Sequence, residues 1–400
     1  MKKLTIVIVS YNVRYYAEQC IRSVLKAVEG VDAEIWVVDN HSRDDSVAYL
    51  HERFPEITIV SVNHNLGFSR ANNRAIGQTE SEYLLLLNPD TIVGEQTIKD
   101  TLNFMDKHPD AGGAGVKMLT STGEKAKESR RGIPSPITAF YKMCGLCSRY
   151  PKHPKFGKYY MCGMPWDVEG EIEIVSGAYF MLRRRALEEV GLLDEDYFMY
   201  GEDIDLSYRL LKGGWKNWYI PTSILHYKGE STQKTSFRYV HVFYDSMLIF
   251  LRKHFRHLSF FILLPLKLAV WFKAFITLLS LVPSMIRKML GFNIVRKEEQ
   301  PEYLFISQQA NMAKCQKLAR VKGLQAQFVE GCSQSLPDGH LSIEMMAPKN
   351  SLLYVVYDIS AYTMQDIFSI MERSANDNVR LGTFNPENNV LITDQEVLYE

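Results

Sequence analysis

The chain has 400 residues, 46% apolar and 23% charged, and its 46 basic and 46 acidic side chains cancel to a net charge of zero. That length exceeds what one hydrophobic core usually organises, so two domains are expected. The composition excludes a disordered or fibrous chain, and the zero net charge excludes a chain-wide field that would recruit nucleic acid. Leu4 to Val9 is a β-branched run that reads as a buried strand. From Asn12 to Val28 apolar residues recur at helical spacing: Ala17, Ile21, Val24, Leu25 and Val28. Glu34 to Val38 reads as a second strand, 46–54 as a helix, Ile57 to Val62 as a third strand and Gly67 to Gly77 as a third helix. Tyr83 to Leu87 is a fourth strand, ending in Asn88-Pro89-Asp90. This alternation predicts an α/β fold with a largely parallel, doubly wound sheet. Ligands of such sheets bind beyond the carboxyl ends of the strands, where Asp39 and Asp90 stand.

Residues 120–170 mix Gly, Pro, Lys and Arg and read as a long loop over the site. A strand is expected over 172–182, with short helices over 184–190 and 204–212. Leu248 to Leu290 is strongly apolar, and from Pro301 a second alternation of strands and helices predicts a small α/β unit. The predicted division is therefore 1–235, 236–295 and 300–400.

Three clusters can carry chemistry. Asp39, in Val38-Asp39-Asn40-His41-Ser42, could accept from a base N–H or a ribose hydroxyl, although Asp, Asn and Ser also cap helices. Asp90 in Asn88-Pro89-Asp90 suits Mg²⁺ or Mn²⁺ beside a diphosphate, although the same tripeptide favours a plain turn. Glu202-Asp203-Ile204-Asp205 places three carboxylates at a helix start, more than capping requires, and crowding raises a carboxylate toward useful base strength. His226 follows the next strand and could complete a metal shell.

In order and spacing these pieces resemble the family 2 glycosyltransferases of GT-A fold, in particular the bacterial rhamnosyltransferase-like branch. The matching pieces are Ile6 to Asn12, Val37 to Asn40 with Ser42 and Asp44, Asn65 to Phe68 with Ala71 and Asn72, Leu87 to Asp90, Ser176 to Ala178, and Phe198 to Arg209, with Trp215 and His226 closing the set. The resemblance covers roughly residues 4–230. It implies that Ser10, Tyr11 and Asp39 line the nucleoside pocket and that Asn65, Gly67 and Arg70 lie near the ribose-diphosphate. It implies Asp90 as metal ligand, His226 on the metal or diphosphate, Asp203 as general base with Glu202 beside it, and Gly177 and Trp215 at the acceptor sugar. The family's metal motif commonly has two acids, and here Asn88 takes the first place, a variant of the rhamnosyltransferase-like branch. That departure implies weaker metal affinity and a deoxysugar donor on thymidine diphosphate. The implied reaction is a single in-line displacement with inversion, from a nucleotide-sugar such as dTDP-rhamnose or a UDP-sugar to a lipid-linked or glycan acceptor of the cell surface.

Between Lys234 and Phe292 nine basic residues stand against Asp245 alone, a local charge of +8, whereas 293–400 carry −5 and 1–233 carry −3. The longest charge-free run there, Ala274 to Ile286, is too short to span a bilayer. Helices lying in the interface, with lysines snorkelling toward anionic lipid, are expected instead, which places the chain peripherally on the inner face of the cytoplasmic membrane. Leu4 to Val9 is too short for a secretory signal, so the six cysteines are expected as free thiols in a reducing cytoplasm. Cys144-x-x-Cys147 with His153 and Cys162 lacks the spacing of a zinc module. A homo-oligomer is compatible with the sequence.

Two other readings compete. A nucleotidyltransferase should carry a Gly-rich basic loop after the first strand, where Ser10-Tyr11-Asn12-Val13 stands instead. A non-catalytic assembly protein on a retired transferase domain should have lost some of Asp39, Asp90, Asp203 and His226, all of which are present.

Overall fold

A computed structural model describes residues 1–151, 153–227, 237–255, 300–343 and 352–399, with seven further helical positions between 264 and 279. Most of the basic apolar segment therefore lies outside the described residues. The first sheet has nine strands: β1 (Lys2–Ser10), β2 (Ala33–Asp39), β3 (Thr58–Ser61), β4 (Ser81–Leu87), β5 (Thr91–Val93), β6 (Ala111–Leu119), β7 (Gly170–Ile172), β8 (Tyr179–Arg183) and β9 (Lys216–His226). Their order is β3-β2-β1-β4-β8-β6-β9-β5, with β7 on β9. Strands β1 to β4 pair in parallel, as the alternation predicts, and so do β6 and β9. β8 runs antiparallel between β4 and β6, so the sheet is mixed. The single strand expected over 172–182 is in fact two, because the chain leaves β9 after Ile172 and turns through Ser176-Gly177 before joining β4.

Both faces of this sheet are covered, which is why β1 and β4 read as continuous apolar runs. Leu4, Ile6 and Ile8 of β1 and Tyr83, Leu85 and Leu87 of β4 face one core with helices α1 (Arg14–Ala27), α2 (Ser46–Arg53) and, further along, α4 (Thr97–Lys107). Val7 and Val9, with Leu84 and Leu86, face the other core with α3 (Phe68–Ile76) and, further along, α7 (Arg184–Val190) and α8 (Glu202–Lys212). The alternation follows from successive strand side chains pointing to opposite faces. The 120–170 segment holds only short helical turns between irregular stretches.

The second sheet has six strands: β10 (Glu302–Ser307), β11 (Gln325–Glu330), β12 (Leu353–Asp358), β13 (Val379–Asn385), β14 (Val390–Ile392) and β15 (Val397–Tyr399). Tyr303, Phe305, Tyr354 and Val356 pack on its outer face, whereas Leu304, Ile306, Val355 and Tyr357 face the first sheet's territory. There they share one apolar cluster with Val13, Tyr16, Ile92, Leu119, Leu225 and Tyr227. Polar bonds lock the same boundary. The Tyr16 hydroxyl donates to the Thr393 carbonyl at 2.9 Å, and Gln19 Nε2 donates to Thr383 Oγ1 at 2.6 Å. The Glu95 carboxylate accepts the Met364 and Gln365 N–H groups at 2.8 and 3.0 Å, capping the helix Met364–Arg373 from across the boundary. Gly123 takes φ +78°, and a Cβ there would lie 2.0 Å from the Met371 carbonyl oxygen, so close approach demands glycine.

Candidate active site

The carboxyl ends of β1, β2 and β4 lie side by side, because Ser10 pairs with Asp39 and Ile8 with Leu87. Ser10 is fully buried and its hydroxyl has no hydrogen-bond partner among the described residues. Asp39 is 2% exposed; its Oδ2 accepts the Ser42 N–H at 3.0 Å, while Oδ1 is buried and unpartnered among the described residues. Leaving a buried carboxylate oxygen unmet costs stability, which makes this strand end a candidate binding position. Asn12 and His41 adopt φ of 55° and 69°, and the Ser42 hydroxyl accepts the Asn12 N–H while Asn12 Oδ1 accepts the Arg43 N–H. The two loops that follow β1 and β2 are thus stitched together. Tyr11 is half-buried beside them.

Asn65 and Gly67 shape the loop that enters α3. Asn40, buried, donates from Nδ2 to Asn65 Oδ1 at 3.1 Å and accepts the Leu66 N–H at 2.8 Å, and Asn65 Oδ1 in turn accepts the Gly67 N–H. Gly67 has φ +81°, and a Cβ would meet the Phe198 carbonyl oxygen at 2.5 Å. The neighbouring Phe68 N–H donates to that oxygen at 2.7 Å, which ties the start of α3 to the turn before α8. Arg70 is more than half exposed and pairs with Glu195.

At the end of β4 the Asn-Pro-Asp turn is braced on several sides. Asn88 donates its N–H to the Ala178 carbonyl at 3.1 Å, and the Thr91 hydroxyl donates back to the Asn88 carbonyl at 2.6 Å. Antiparallel pairing of β5 with β9 sets Thr91 opposite His226. Asp90, 3% exposed, lies with Oδ1 3.3 Å from His226 Nε2, and Asn88 Nδ2 is 3.4 Å from the same nitrogen. The Asp90 carboxylate suits Mg²⁺ or Mn²⁺, because such ions keep several waters and take their remaining ligands from substrate phosphates, whereas the imidazole is the less usual ligand for them. Among the described residues no group of three or more metal-ligating side chains occurs, so Cys144, Cys147 and Cys162 form no metal cluster.

The three carboxylates at the start of α8 diverge. Tyr200 and Gly201 both take positive φ, 66° and 89°, which turns the chain sharply into the helix. Asp205 is fully buried and turns away, bonded to His254 at 2.6 Å and to Arg209 at 2.7 Å. These partners hold it below the usual carboxylate range against the upward push of burial. Glu202 is buried with Oε2 unpartnered among the described residues, and burial first, then the neighbouring Asp203, pushes it up to about 8. Asp203 accepts the Gly177 N–H on Oδ2 at 3.0 Å and the Ile204 N–H on Oδ1 at 2.8 Å. A Cβ on Gly177 would lie 3.3 Å from the Asp203 Cβ.

Trp215 does not join this constellation. It precedes β9, at the opposite end of that strand from His226, and its indole N–H donates to Glu189 of α7 at 2.9 Å. Eleven strand residues span about 35 Å, so the aromatic ring packs the sheet's far edge rather than an acceptor pocket. Sequence reasoning also missed Arg131, a buried residue of the irregular 120–170 segment whose guanidinium reaches Asp203 Oδ2. No periodicity marks it, and only adjacency to Arg130 sets it apart.

The chain is similar to several known proteins. Residues 5–191 match the family model Glycosyl transferase family 2. An N-acetylglucosaminyl-diphospho-decaprenol L-rhamnosyltransferase of Mycobacterium tuberculosis is 29% identical over 260 residues, 62% of this chain and 83% of that protein. The low-salt glycan biosynthesis hexosyltransferase Agl10 of Haloferax volcanii is 26% identical over 52% of this chain and 61% of its own length. Among solved structures, S. aureus TarS matches 62% of this chain and 40% of its own chain, at 17% identity and a TM-score of 0.41.

Proposed function

We propose that this chain, whose residues 5–191 match the glycosyl transferase family 2 model, transfers a sugar with inversion from a nucleotide-diphosphate donor, dTDP-rhamnose or a UDP-sugar, to a lipid-linked or polysaccharide acceptor in cell-surface glycan synthesis. The observation that carries the reading is the link through Gly177-Ala178. The Ala178 carbonyl accepts from Asn88 of the Asp90 turn, while the Gly177 N–H donates to Asp203. A diphosphate-binding turn and a proton acceptor are thereby joined by one dipeptide, beside the buried Ser10 and Asp39 at the neighbouring strand ends.

In this reading Asp39 and Ser10 hold the nucleoside through oxygens that lack partners among the described residues. Asp90 and His226 would hold a divalent cation, which when bound offsets charge on the departing diphosphate. Asp203 takes the proton of the attacking acceptor hydroxyl, and the Gly177 N–H keeps its carboxylate aimed. Glu202 stays protonated near neutral pH, so the pair presents one negative charge rather than two. The second sheet, which offers no comparable cluster among the described residues, is a scaffold behind the catalytic one.

We also assign the chain to the membrane surface. Leu264, Leu268, Trp271, Phe272, Phe275, Ile276 and Leu279 are helical and exposed, and their spacing places them on one face, in a stretch that carries Lys267 and Lys273. Among the described residues no helix is long and apolar enough to cross a membrane.

The test is thermal stability against a panel of nucleotide diphosphates with and without Mn²⁺ or Mg²⁺. Nucleotide at a hundred times its dissociation constant should add ~2.7 kcal/mol. A metal-dependent shift with one nucleotide, lost in Asp90→Ala, is expected. Well-folded protein that responds to no nucleotide would instead favour a non-catalytic assembly role.

A further inference from the structure

We propose that Arg131 is a positioning residue for the proton acceptor, gripping the Asp203 carboxylate through Oδ2 so that Oδ1 is left toward the acceptor hydroxyl and the negative charge of the Glu202–Asp203 pair is fixed on Asp203; this rests on the glycosyltransferase reading above.

The geometry is specific. Arg131 Nη2 donates to Asp203 Oδ2 and, at 2.9 Å, to the Val175 carbonyl, just before the Ser176-Gly177 turn. The two side chains are only 11% and 14% exposed, so water screens the pair weakly. Oδ2 thus carries both Arg131 and the Gly177 N–H, whereas Oδ1 accepts only the adjacent Ile204 N–H among the described residues. The saturated oxygen anchors the group, and the lightly bonded one keeps a lone pair for a proton.

Arg131 is itself held from behind. Its carbonyl accepts the Ile174 N–H at 2.9 Å in an isolated β-bridge, Gly132 donates to the Tyr159 carbonyl at 2.8 Å, and Ile133 donates to Glu173 Oε2 at 2.6 Å. The preceding Arg130, 2% exposed, stacks 3.7 Å over the Trp166 ring and donates to the Pro165 carbonyl at 2.8 Å. Two consecutive arginines therefore divide the work: Arg130 fastens the irregular segment to itself, and Arg131 points from it at the base.

Two adjacent carboxylates in a dry site cannot both ionise cheaply, and a cation nearer one of them decides which does. The groups facing this charge are Glu202, Asp203 and Asp205 from α8 and Glu128 and Tyr159 from the irregular segment, with Arg131 as the cation of the Glu202–Asp203 pair. Arg131 bonds Asp203 and not Glu202, so the proton of the pair resides on Glu202, which agrees with Glu202 being pushed up to about 8.

The experiment uses the full chain and reads nucleotide diphosphate released from dTDP-rhamnose or UDP-N-acetylglucosamine, with a short-chain prenyl-diphosphate N-acetylglucosamine in detergent as acceptor. Arg131→Ala should lose roughly 100-fold in kcat, within the range of general-base effects, with the donor KM and the nucleotide-induced melting shift unchanged. Arg131→Lys should recover part of the loss. Millimolar guanidinium should raise turnover of Arg131→Ala and leave Asp203→Asn unmoved. If Arg131→Ala fails to fold, Arg131→Lys alone decides: a full wild-type kcat from that less exact donor would overturn the positioning role. Undiminished kcat in folded Arg131→Ala, or a loss confined to KM and indifferent to guanidinium, would overturn it too, with the transferase reading intact. Wild-type protein that releases no nucleotide from any donor would overturn the transferase reading, and the Arg131 role with it.

Discussion

Replacing Asp203 by Asn removes one oxygen's charge and almost no volume, so it isolates the base. Two effects follow from the structure. The first is kinetic: without a carboxylate to take the acceptor proton, turnover should fall ~10²–10⁴-fold. The second is structural. Arg131 and Asp203 form a pair whose side chains are 11% and 14% exposed, and breaking such a pair from one side costs about 3–5 kcal/mol. The lower end applies here, because the Asn carbonyl oxygen can still accept the Gly177 N–H and the guanidinium keeps the Val175 carbonyl. The variant should therefore melt several degrees lower yet remain folded at 25 °C. The donor contacts proposed for Ser10, Asp39 and Asp90 lie on other strand ends, so the nucleotide-induced melting shift should persist. The assay is single-turnover nucleotide release beside a melting curve with and without nucleotide and Mn²⁺. A variant that turns over within about tenfold of wild type would refute Asp203 as the base, and one that loses nucleotide binding would refute the separation of donor and base sites.

Glu202 offers a test by pH. Its folded value of about 8 stands above the ordinary 4.5, so between these limits the folded chain holds a proton that the unfolded chain has released. Stability from this group is therefore full below about 4.5 and lost as pH rises toward 8. Glu202→Gln should flatten the fall of melting temperature between pH 5 and 8, and an unchanged slope would place the titration elsewhere. Gly123→Ala probes the boundary between the sheets. With φ +78° and 2.0 Å from its Cβ to the Met371 carbonyl, the variant should lose at least about 1–3 kcal/mol. Earlier proteolysis in the segment around Met371 should accompany the loss, and a native-like melting curve would show that the helix Met364–Arg373 is not packed there.

Much of this molecule is legible in its sequence, and the gaps have physical causes. β1, α1, β2, α2, α3 and β4 carry strong periodicity and sit within a residue or two of their expected bounds. β6, Ala111–Leu119, gives no such signal because its Gly112, Gly113 and Gly115 have poor strand propensity. Tertiary packing explains those glycines: a Cβ on Gly113 would lie 2.6 Å from the Phe180 ring of the neighbouring strand. The Asn-Pro-Asp turn, the buried Asp39 and the acid-rich start of α8 are visible as residue types at fixed places. Which acid of Glu202, Asp203 and Asp205 faces which partner is not, since His254 and Arg131 come from 49 and 72 residues away. Trp215 shows the converse error: an aromatic residue that travels with the motif in order serves the sheet's far end.

The second sheet bears on the site through its contact with one strand. His226 closes β9, and the next residue, Tyr227, lies in the apolar cluster shared by both sheets, with its hydroxyl 3.4 Å from Thr383 Oγ1. Gln19 of α1 donates to the same hydroxyl, and Tyr16 stacks edge-on against Tyr227 at 5.4 Å. The strand end that presents His226 to Asp90 is thus clamped between α1 and β13 rather than left at a free sheet edge. An imidazole held within 3.3 Å of a carboxylate needs such backing, because a strand terminus frays when nothing packs on it. On this argument the C-terminal sheet needs no chemistry of its own to matter for transfer: its packing fixes the geometry of His226 and Asp90, the pair proposed to act at the diphosphate.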